Sequence, residues 1–302
     1  MPTPPTVFAH IPGNILGIAS YYTTHDSTQH VIAATTDGNL YEVHWNQNTS
    51  PTTPLKFADF NAPICVSGFY SPDDKNQHAI VATSDTTLHE VYFQQANAPH
   101  LHDPLIHLNN IYSANGMAGF YSPGDNFRHV VTIDTAGNPQ DITFNAQQPP
   151  TITHITTPFT NADIASISGF LATNDSSRHI IIALINATGD VYDISFPDQY
   201  HVPSSIGSNY LITQFNEALV NVTAYFSSDT NYCHIVALTA SGTLYDHAYN
   251  TAGDRRSTQL TSTPLSNVAD ITSYYSAYDK IRHVIFATRD GNLQEITYTS
   301  QG

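Results

Sequence analysis

The segment from Ser20 to Glu42 reads SYYTTHDSTQHVIAATTDGNLYE, and the segment from Ser273 to Glu295 repeats it as SYYSAYDKIRHVIFATRDGNLQE. Each holds a short aromatic run, a histidine that opens an apolar run, and an Asp-Gly turn followed by an alternating run that reaches an acid. Short runs of this kind, separated by turn residues, are typical of antiparallel β-strands. The segment therefore predicts one unit of a repeated β-structure.

Four further copies lie between these two, so the chain contains six units. Successive units are 48 to 55 residues apart, counted between their anchoring histidines His30, His78, His129, His179, His234 and His283. A weaker fourth strand signal follows the three clear ones, as in Pro54–Phe60 and Pro104–Leu108. Four strands per unit, six times over, predict an all-β fold, a six-bladed β-propeller with four-stranded antiparallel blades. We expect residues 1–302 to form this single domain.

The two ends of the chain together supply the four strands of one blade. The last unit stops near Tyr298, after its third strand, and a spare strand-like segment, Thr6–Ile11, precedes the first unit. We expect this N-terminal segment to complete the last blade as its outer strand.

Composition excludes several classes of protein. The 302 residues include 9 Lys and Arg against 25 Asp and Glu, a formal net charge of −16 with the 16 His neutral. So few cations cannot neutralise the phosphates of a nucleic acid or form a polybasic membrane surface. No apolar run approaches the ~20 residues of a membrane span, and Met1–Val7 lacks the basic and apolar segments of a signal peptide. We expect a soluble protein without membrane insertion, either cytoplasmic or secreted.

A second polar position recurs in every unit. An acid follows the histidine by 12 residues in five units and by 14 in the fourth; the acids are Glu42, Glu90, Asp141, Asp193, Asp246 and Glu295. A two-residue hairpin loop would put His30 and Glu42 on opposite faces. A three-residue loop with Gly38 in the left-handed conformation pairs Thr35 with Asn39 and puts the pair on one face, with Cβ atoms about 7–8 Å apart. Glycine at this position in five units favours the shared face.

Two interpretations of the pair remain open. At that separation we expect no direct salt bridge, so the histidine and the acid would hold a small polar ligand or a water between them. Alternatively, each pair is a hydrogen-bonded post within the scaffold, because buried polar groups need partners. The Asp four residues before most of the histidines is expected to organise the turn between strands; these residues are Asp26, Asp74, Asp125, Asp175 and Asp279.

The repeat resembles that of the fucose-specific six-bladed β-propeller lectins over nearly the whole chain. The features that carry the resemblance are a basic residue that opens an apolar strand, then Asp-x-x-Gly-x-(Ile/Leu)-x-Glu, with 12 residues from the basic residue to the acid. In that family the pair grips sugar hydroxyls, and aromatic residues, partly from the neighbouring blade, pack on the apolar face of the sugar. The resemblance implies the pairs His30–Glu42, His78–Glu90, His129–Asp141, His179–Asp193, His234–Asp246 and His283–Glu295 as ligand-binding residues.

The chain also departs from the family pattern. Histidine, mostly neutral at pH 7, stands where the family has arginine, and three of the acids are Asp. Trp45 is the only tryptophan, so Tyr and Phe would supply the stacking surface.

Other chemistry is weakly indicated. The tightest histidine cluster is His100 and His102 with His107. Two histidines on one strand face could bind zinc, but the sequence places no third or fourth ligand, so we interpret this segment as a solvated loop and predict no metal and no cofactor. No nucleophile motif occurs, and the acids are spread one per blade rather than paired in one cleft, so we predict no enzymatic activity. Cys65 and Cys233 are expected to be small buried hydrophobes.

The sequence thus favours a lectin with up to six inter-blade sites for glycans or glycoconjugates, fucosylated ones included. The rival is a structural or protein–protein interaction propeller with no small-molecule ligand, and an enzyme using the central channel comes third. If the histidines contact the ligand, binding should strengthen toward pH 5–6, because protonation adds a donor near the ordinary histidine pKa of about 6.5. Which sugar is bound, and whether the protein is a homo-oligomer, stay open.

Overall fold

The computed structural model describes residues 2–94, 100–108, 116–134, 137–155, 164–197 and 210–299. Regular structure in these ranges is β-strand, and they hold no helix long and apolar enough to cross a membrane. The strands are β1 (Thr6–His10), β2 (Ile15–Thr23), β3 (Thr28–Thr35), β4 (Asn39–Trp45), β5 (Leu55–Asp59), β6 (Pro63–Ser71), β7 (Asn76–Thr83), β8 (Thr87–Phe93), β9 (His100–His107), β10 (Ala118–Ser122), β11 (Phe127–Ile133), β12 (Pro139–Phe144), β13 (Thr151–His154), β14 (Ile164–Ala172), β15 (Ser177–Leu184), β16 (Asp190–Pro197), β17 (Tyr210–Gln214), β18 (Leu219–Ser227), β19 (Tyr232–Thr239), β20 (Leu244–Tyr249), β21 (Arg255–Gln259), β22 (Val268–Ser276), β23 (Ile281–Thr288) and β24 (Asn292–Tyr298).

These strands form six four-stranded antiparallel sheets, and the fold is a six-bladed β-propeller, as the repeat predicts. Blades 1 to 5 take four consecutive strands each, from β2–β5 to β18–β21, and blade 6 has the order β1-β24-β23-β22. The chain divides into two compact units. Unit 1, residues 1–108 and 265–302, holds blades 6, 1 and 2; unit 2, residues 109–264, holds blades 3, 4 and 5.

Blade 6 joins the two ends of the chain. Strand β1 pairs antiparallel with β24, so that Thr6 lies opposite Glu295 and His10 opposite Asn292. The Ile11 amide then donates to the Gly291 carbonyl at 2.8 Å. The expectation that the N-terminal segment supplies the outer strand of the last blade is confirmed.

The second strand of a blade is buried on both faces. In β3, Val31 packs with residues of blade 6 such as Ile285, whereas Ile32 packs with residues of blade 2 such as Val81. Successive side chains of a strand point to opposite faces, so β3 contributes to two inter-blade cores. This explains why an apolar run follows His30. The two cysteines are free and buried, as expected.

The hairpin between β3 and β4 has the three-residue loop. The Gly38 amide donates to the Thr35 carbonyl at 2.9 Å, and Gly38 adopts φ +93°. A Cβ on Gly38 would lie 2.2 Å from the Phe60 carbonyl oxygen, so only glycine fits this turn without strain. The register places Ile32 opposite Glu42, which fixes which side chains share a face.

The interpretation of His100–His107 as a solvated loop is wrong. The segment is β9, and it pairs with β8 through contacts such as Tyr92 opposite His100. Four strands are needed to complete a blade, so the sequence between units two and three pairs with the sheet instead of remaining irregular.

Candidate functional site

The repeated histidine and acid share one face of each blade and contact each other directly. The histidine Nδ1 donates to a carboxylate oxygen at 2.7 to 3.0 Å in all six blades; the pairs are His30–Glu42, His78–Glu90, His129–Asp141, His179–Asp193, His234–Asp246 and His283–Glu295. The shared face is confirmed. The expectation that the two side chains do not contact each other directly is wrong. The two residues are diagonal neighbours on adjacent strands, and their side chains extend toward each other and form a hydrogen bond.

Almost all of these side chains are buried. Each histidine is at most 6% exposed, as are five of the acids. The exception is Glu295 of blade 6, whose side chain is 21% exposed. A buried charge needs a hydrogen-bonded partner, and the pair supplies it within each blade.

An aromatic ring of the first strand stacks on every one of these histidines. The ring centroids lie 4.7 to 5.2 Å apart with interplanar angles of 1° to 14°, and the rings belong to Tyr21, Phe69, Phe120, Phe170, Tyr225 and Tyr274. The sequence identified the aromatic run but not this contact. The register could have revealed it, because Tyr21 lies directly opposite His30.

The preceding Asp organises the turn, as its sequence position indicates. In five blades a carboxylate oxygen of this Asp accepts the backbone amide two residues on, at 3.0 to 3.2 Å; the amides are those of Thr28, Asn76, Phe127, Ser177 and Ile281. In blades 2 and 3 the same Asp also reaches the second nitrogen of the histidine, at 3.3 Å for Asp74 and 3.2 Å for Asp125. There the imidazole lies between two carboxylates.

Within unit 1, the blade interfaces are closed by neutral groups. The Tyr21 hydroxyl of blade 1 donates to the Gln77 Oε1 of blade 2 at 2.8 Å. The Tyr274 hydroxyl of blade 6 likewise donates to the Gln29 Oε1 of blade 1. In both cases the glutamine immediately precedes the histidine of its own blade.

Within unit 2, the same position carries a cation between blades 3 and 4. Arg178 precedes His179 and is fully buried. Its guanidinium lies over the His129 ring, with Nη1 3.1 Å from Nδ1 and 3.0 Å from Nε2. The same Nη1 is 3.3 Å from an Asp125 oxygen and 3.8 Å from an Asp141 oxygen. The tyrosine hydroxyl of unit 1 is missing at this interface, because the stacking ring is Phe120.

These surroundings shift the titration of the pairs. Burial by itself lowers the pKa of His129, but the carboxylates of Asp141 and Asp125 outweigh burial and the nearby Arg178, and the pKa rises to about 9. Burial raises the pKa of Glu42, yet the hydrogen bond from His30 and the nearby His44 lower it to about 2. His129 is therefore charged at pH 7, contrary to the sequence-based expectation of a mostly neutral histidine.

Blade 6 is distinguished by the second nitrogen of its histidine, whereas in blade 4 an acid oxygen, Asp193 Oδ1, has no partner among the described residues. The buried His283 Nε2 has no hydrogen-bond partner among the described residues, while Nδ1 is held by Glu295 at 2.7 Å. Tyr278, in the adjoining turn, is 61% exposed. The corresponding residue of blade 1, His25, instead stacks on Tyr70 of blade 2 at 5.1 Å.

Among the described residues, one group could hold a metal ion. It consists of His30, Glu42 and His44, whose ligand atoms lie within 4.8 Å of one another. The His30 Nδ1 already donates to Glu42 at 2.8 Å, so a metal would have to displace a buried hydrogen bond. The donor set suits zinc, but the hydrogen bond is the better use of this geometry.

The fold and the site define a six-bladed propeller in which each blade holds a His–acid pair with a buried aromatic ring stacked on the buried histidine. No family model and no curated protein matches the chain. Solved structures do. AofleA from Arthrobotrys oligospora is 13% identical, with a TM-score of 0.72, covering 99% of this chain and 86% of its own.

Two solved structures of lectins have the same fold. The BP39L lectin from Burkholderia pseudomallei is 13% identical, with a TM-score of 0.68, covering 94% of this chain and 81% of its own. The Aleuria aurantia lectin, described as a six-bladed β-propeller with a novel fucose recognition mode, is 11% identical, with a TM-score of 0.64, covering 98% of this chain and 95% of its own. The resemblance found in the repeat is thus confirmed at the level of the fold.

Proposed function

We propose that the protein is a non-catalytic carbohydrate-binding propeller with up to six repeated sites formed around the twelve histidine and acid residues. The proposal can be tested most directly at blade 6. The fold it shares with the fucose-recognising Aleuria aurantia lectin supports the ligand class. One fold hosts many functions, so the argument depends on the site itself.

The unpartnered His283 Nε2 is the observation that carries the proposal. A buried polar atom without a partner is uncommon and calls for an unseen one. With Nδ1 bonded to Glu295, Nε2 is left to bond a ligand hydroxyl. The second Glu295 oxygen adds another acceptor at a partly exposed position.

Aromatic residues of blades 6 and 1 supply the apolar wall that a sugar ring needs. Tyr278 is mostly exposed, and Tyr22 of blade 1 is half-buried and close enough to Tyr274 to raise the pKa of that hydroxyl, after the larger effects of burial and of Glu295 and Asp279. Sugar sites combine such rings with a few convergent hydrogen-bonding groups. Half-exposed aromatic residues recur at the Tyr22 position in five blades: Tyr22, Tyr70, Tyr121, Phe226 and Tyr275.

A glycan array followed by titration calorimetry with α-methyl fucoside tests the proposal. We expect Glu295→Gln to lower affinity about tenfold, because a hydrogen bond to a charged group contributes about 1.5–3 kcal/mol and the amide keeps the shape. The matched control is Glu217→Gln, an acid that is not one of the twelve residues. Glu217 accepts the Ser241 amide and hydroxyl within blade 5, so glycan binding should be unchanged.

Two results would overturn the proposal. One is an array without any retained glycan. The other is a Glu295→Gln variant that binds a retained glycan as tightly as the wild type and the Glu217→Gln control do. Tyr278→Ala offers a further check, since removing an exposed ring should weaken binding while leaving the melting temperature within about 1 °C, as expected for surface changes.

The burial of eleven of the twelve residues favours the second candidate, a structural or protein–protein interaction scaffold. If the protein is such a scaffold, every histidine variant should lower stability and none should change glycan binding. The separating measurement is a set of six single His→Gln variants, each tested for melting temperature and for binding to an array-selected glycan. Loss of binding without loss of folding at His283 would exclude a purely structural role there.

A further inference from the structure

A cavity of about 380 Å³ lies between blades 4 and 5, both within unit 2. Its walls come from β17 on one side and from β20 and β21 on the other. The polar lining is Thr213, Gln214, Asn216, His247 and Arg255, and the apolar lining is Leu211 and Ile212. This volume is at the lower end of the roughly 300–1,000 Å³ of small-ligand pockets. None of the twelve repeated residues lines it.

His247 breaks the symmetry of the repeat. The residue immediately after the repeated acid is a core aliphatic in the five other blades, at most 1% exposed: Val43, Val91, Ile142, Ile194 and Ile296. Blade 5 places a histidine there, 5% exposed. An imidazole in an apolar core position destabilises the fold unless its polar atoms are used, so this substitution needs an explanation.

The ring of His247 is satisfied on one side only. Its Nδ1 bonds the Ser257 hydroxyl at 2.7 Å, and its buried Nε2 has no hydrogen-bond partner among the described residues. Burial lowers its pKa to about 4, more strongly than the nearby Asp246 raises it, and Arg255 and His234 lower it further. The ring is therefore neutral at pH 7, and His247 is one of the residues that line the cavity.

Arg255 brings a positive charge to the same cavity. One guanidinium nitrogen, Nη1, donates to the Ile212 carbonyl of blade 4 at 2.6 Å. Ile212 lies at a register shift in the pairing of β16 with β17, between Leu211 and Thr213, which frees its carbonyl from the ladder. This bond orients the guanidinium, and its remaining N–H groups stay available to a ligand.

The acidic groups near the cavity are already engaged. Asp190 accepts the Gln214 amide at 2.8 Å, and Asp246 accepts His234 at 3.0 Å. An arginine guanidinium can donate two parallel hydrogen bonds to a carboxylate. The imidazole, amide and hydroxyl groups of the cavity can form hydrogen bonds with sugar hydroxyls. On a chain of net charge −16, a site for an anion needs such a local cation to overcome general repulsion.

We propose that the cavity between blades 4 and 5 binds an acidic monosaccharide, with its carboxylate on Arg255 and a ring hydroxyl on the His247 Nε2. The site is separate from the repeated positions and does not rest on the function proposed above. A neutral sugar leaves Arg255 unmatched, and a simple carboxylate leaves His247 unmatched, so both groups are needed to select the ligand.

Titration of the full-length protein with glucuronate, glucose and acetate at constant ionic strength tests the proposal. We expect glucuronate to bind at least tenfold more tightly than either of the others. Arg255→Gln and His247→Val should each weaken glucuronate binding at least tenfold. His247→Val restores the residue of blade 1, so its melting temperature should equal or exceed that of the wild type.

The matched control is Arg256→Gln, one residue along the same strand. Arg256 has the same charge and is also exposed, but its guanidinium lies over the Tyr232 ring at 5.1 Å, so glucuronate affinity should not change. Glu295→Gln should also leave it unchanged, which separates this site from blade 6. The proposal fails if glucuronate does not bind, if acetate or glucose binds as well, or if Arg255→Gln, with its fold checked by melting temperature, leaves affinity intact.

Discussion

The two compact units use the same backbone and the same His–acid pair, but they close their blade interfaces with different chemistry. In unit 1 a tyrosine hydroxyl meets a glutamine, as in Tyr21 to Gln77. In unit 2 the corresponding contact between blades 3 and 4 is Arg178 against His129 and two carboxylates. The position before the histidine can therefore be neutral or charged as long as its partners change with it. A buried polar position is defined by its complete set of partners rather than by one residue type.

The largest expected effect is on the stability of unit 1, because one of its blades is built from both ends of the chain. Unit 1 depends on β1, a strand from the other end of the chain, whereas the three blades of unit 2 are each continuous. Deleting residues 2–12 should remove the fully buried Ile11 and unpair β24. We expect a loss of more than about 5 kcal/mol, since truncating one buried isoleucine costs about 2–5 kcal/mol.

Chemical denaturation and native-state hydrogen exchange measure this effect. Protection should be lost first in β22–β24. Val7→Ala, on the exposed face of the same strand, should change stability by less than about 0.5 kcal/mol. A deletion variant that melts like the wild type would show that unit 1 does not need the strand.

Arg178→Gln comes next, because it gives unit 2 the residue that unit 1 has. If the glutamine of unit 1 were interchangeable with arginine, stability would not change. We expect a loss of about 3–5 kcal/mol, since the buried Asp125 and Asp141 would lose one of their two cations, keeping only His129, and Phe120 offers no hydroxyl to the new amide. Urea unfolding measures the loss, with the exposed Arg256→Gln as the control for charge.

The charged interface should also make unit 2 sensitive to alkaline pH. The folded pKa of His129 is raised from 6.5 to about 9. A raised pKa contributes stability that is complete below the unfolded value near 6.5 and is lost as pH rises through about 9. The contribution is at most about 3 kcal/mol.

Unfolding free energies between pH 6 and pH 10, with NMR titration of the His129 ring, test this. The variant His129→Asn should lose the corresponding slope. A ring that titrates near pH 6.5 in the folded protein would contradict the charged interface.

The smallest expected effect is the reverse exchange in unit 1. Tyr21→Phe gives blade 1 the ring that blade 3 has in Phe120, and it should cost about 1–2 kcal/mol because Gln77 loses a buried donor. Adding Gln77→Met should restore part of that loss, since removing both partners leaves no unpaired group. A double variant no more stable than Tyr21→Phe alone would mean that the hydrogen bond does not couple these blades.

Much of this structure could be predicted from the sequence, because its determinants are local. The Asp-Gly turn fixed the hairpin register, since only glycine tolerates the left-handed conformation at Gly38. Register in turn put His30 and Glu42 on one face. The spare segment before Ile11 and the missing fourth strand after Tyr298 indicated how blade 6 is completed.

Other features depend on contacts between strands and between blades, which no local pattern encodes. Side-chain torsions close the distance from His30 to Glu42, and neighbouring blades decide whether a histidine such as His129 is charged. His247 had a visible sequence signal, a histidine where the other units have Val or Ile, but its meaning required the cavity. The sequence by itself determined the repeat, the strands and their register, because turns and alternation act within a few residues. Only the tertiary structure decided which polar groups are satisfied, charged or left open, because burial and partners come from residues far apart in the chain.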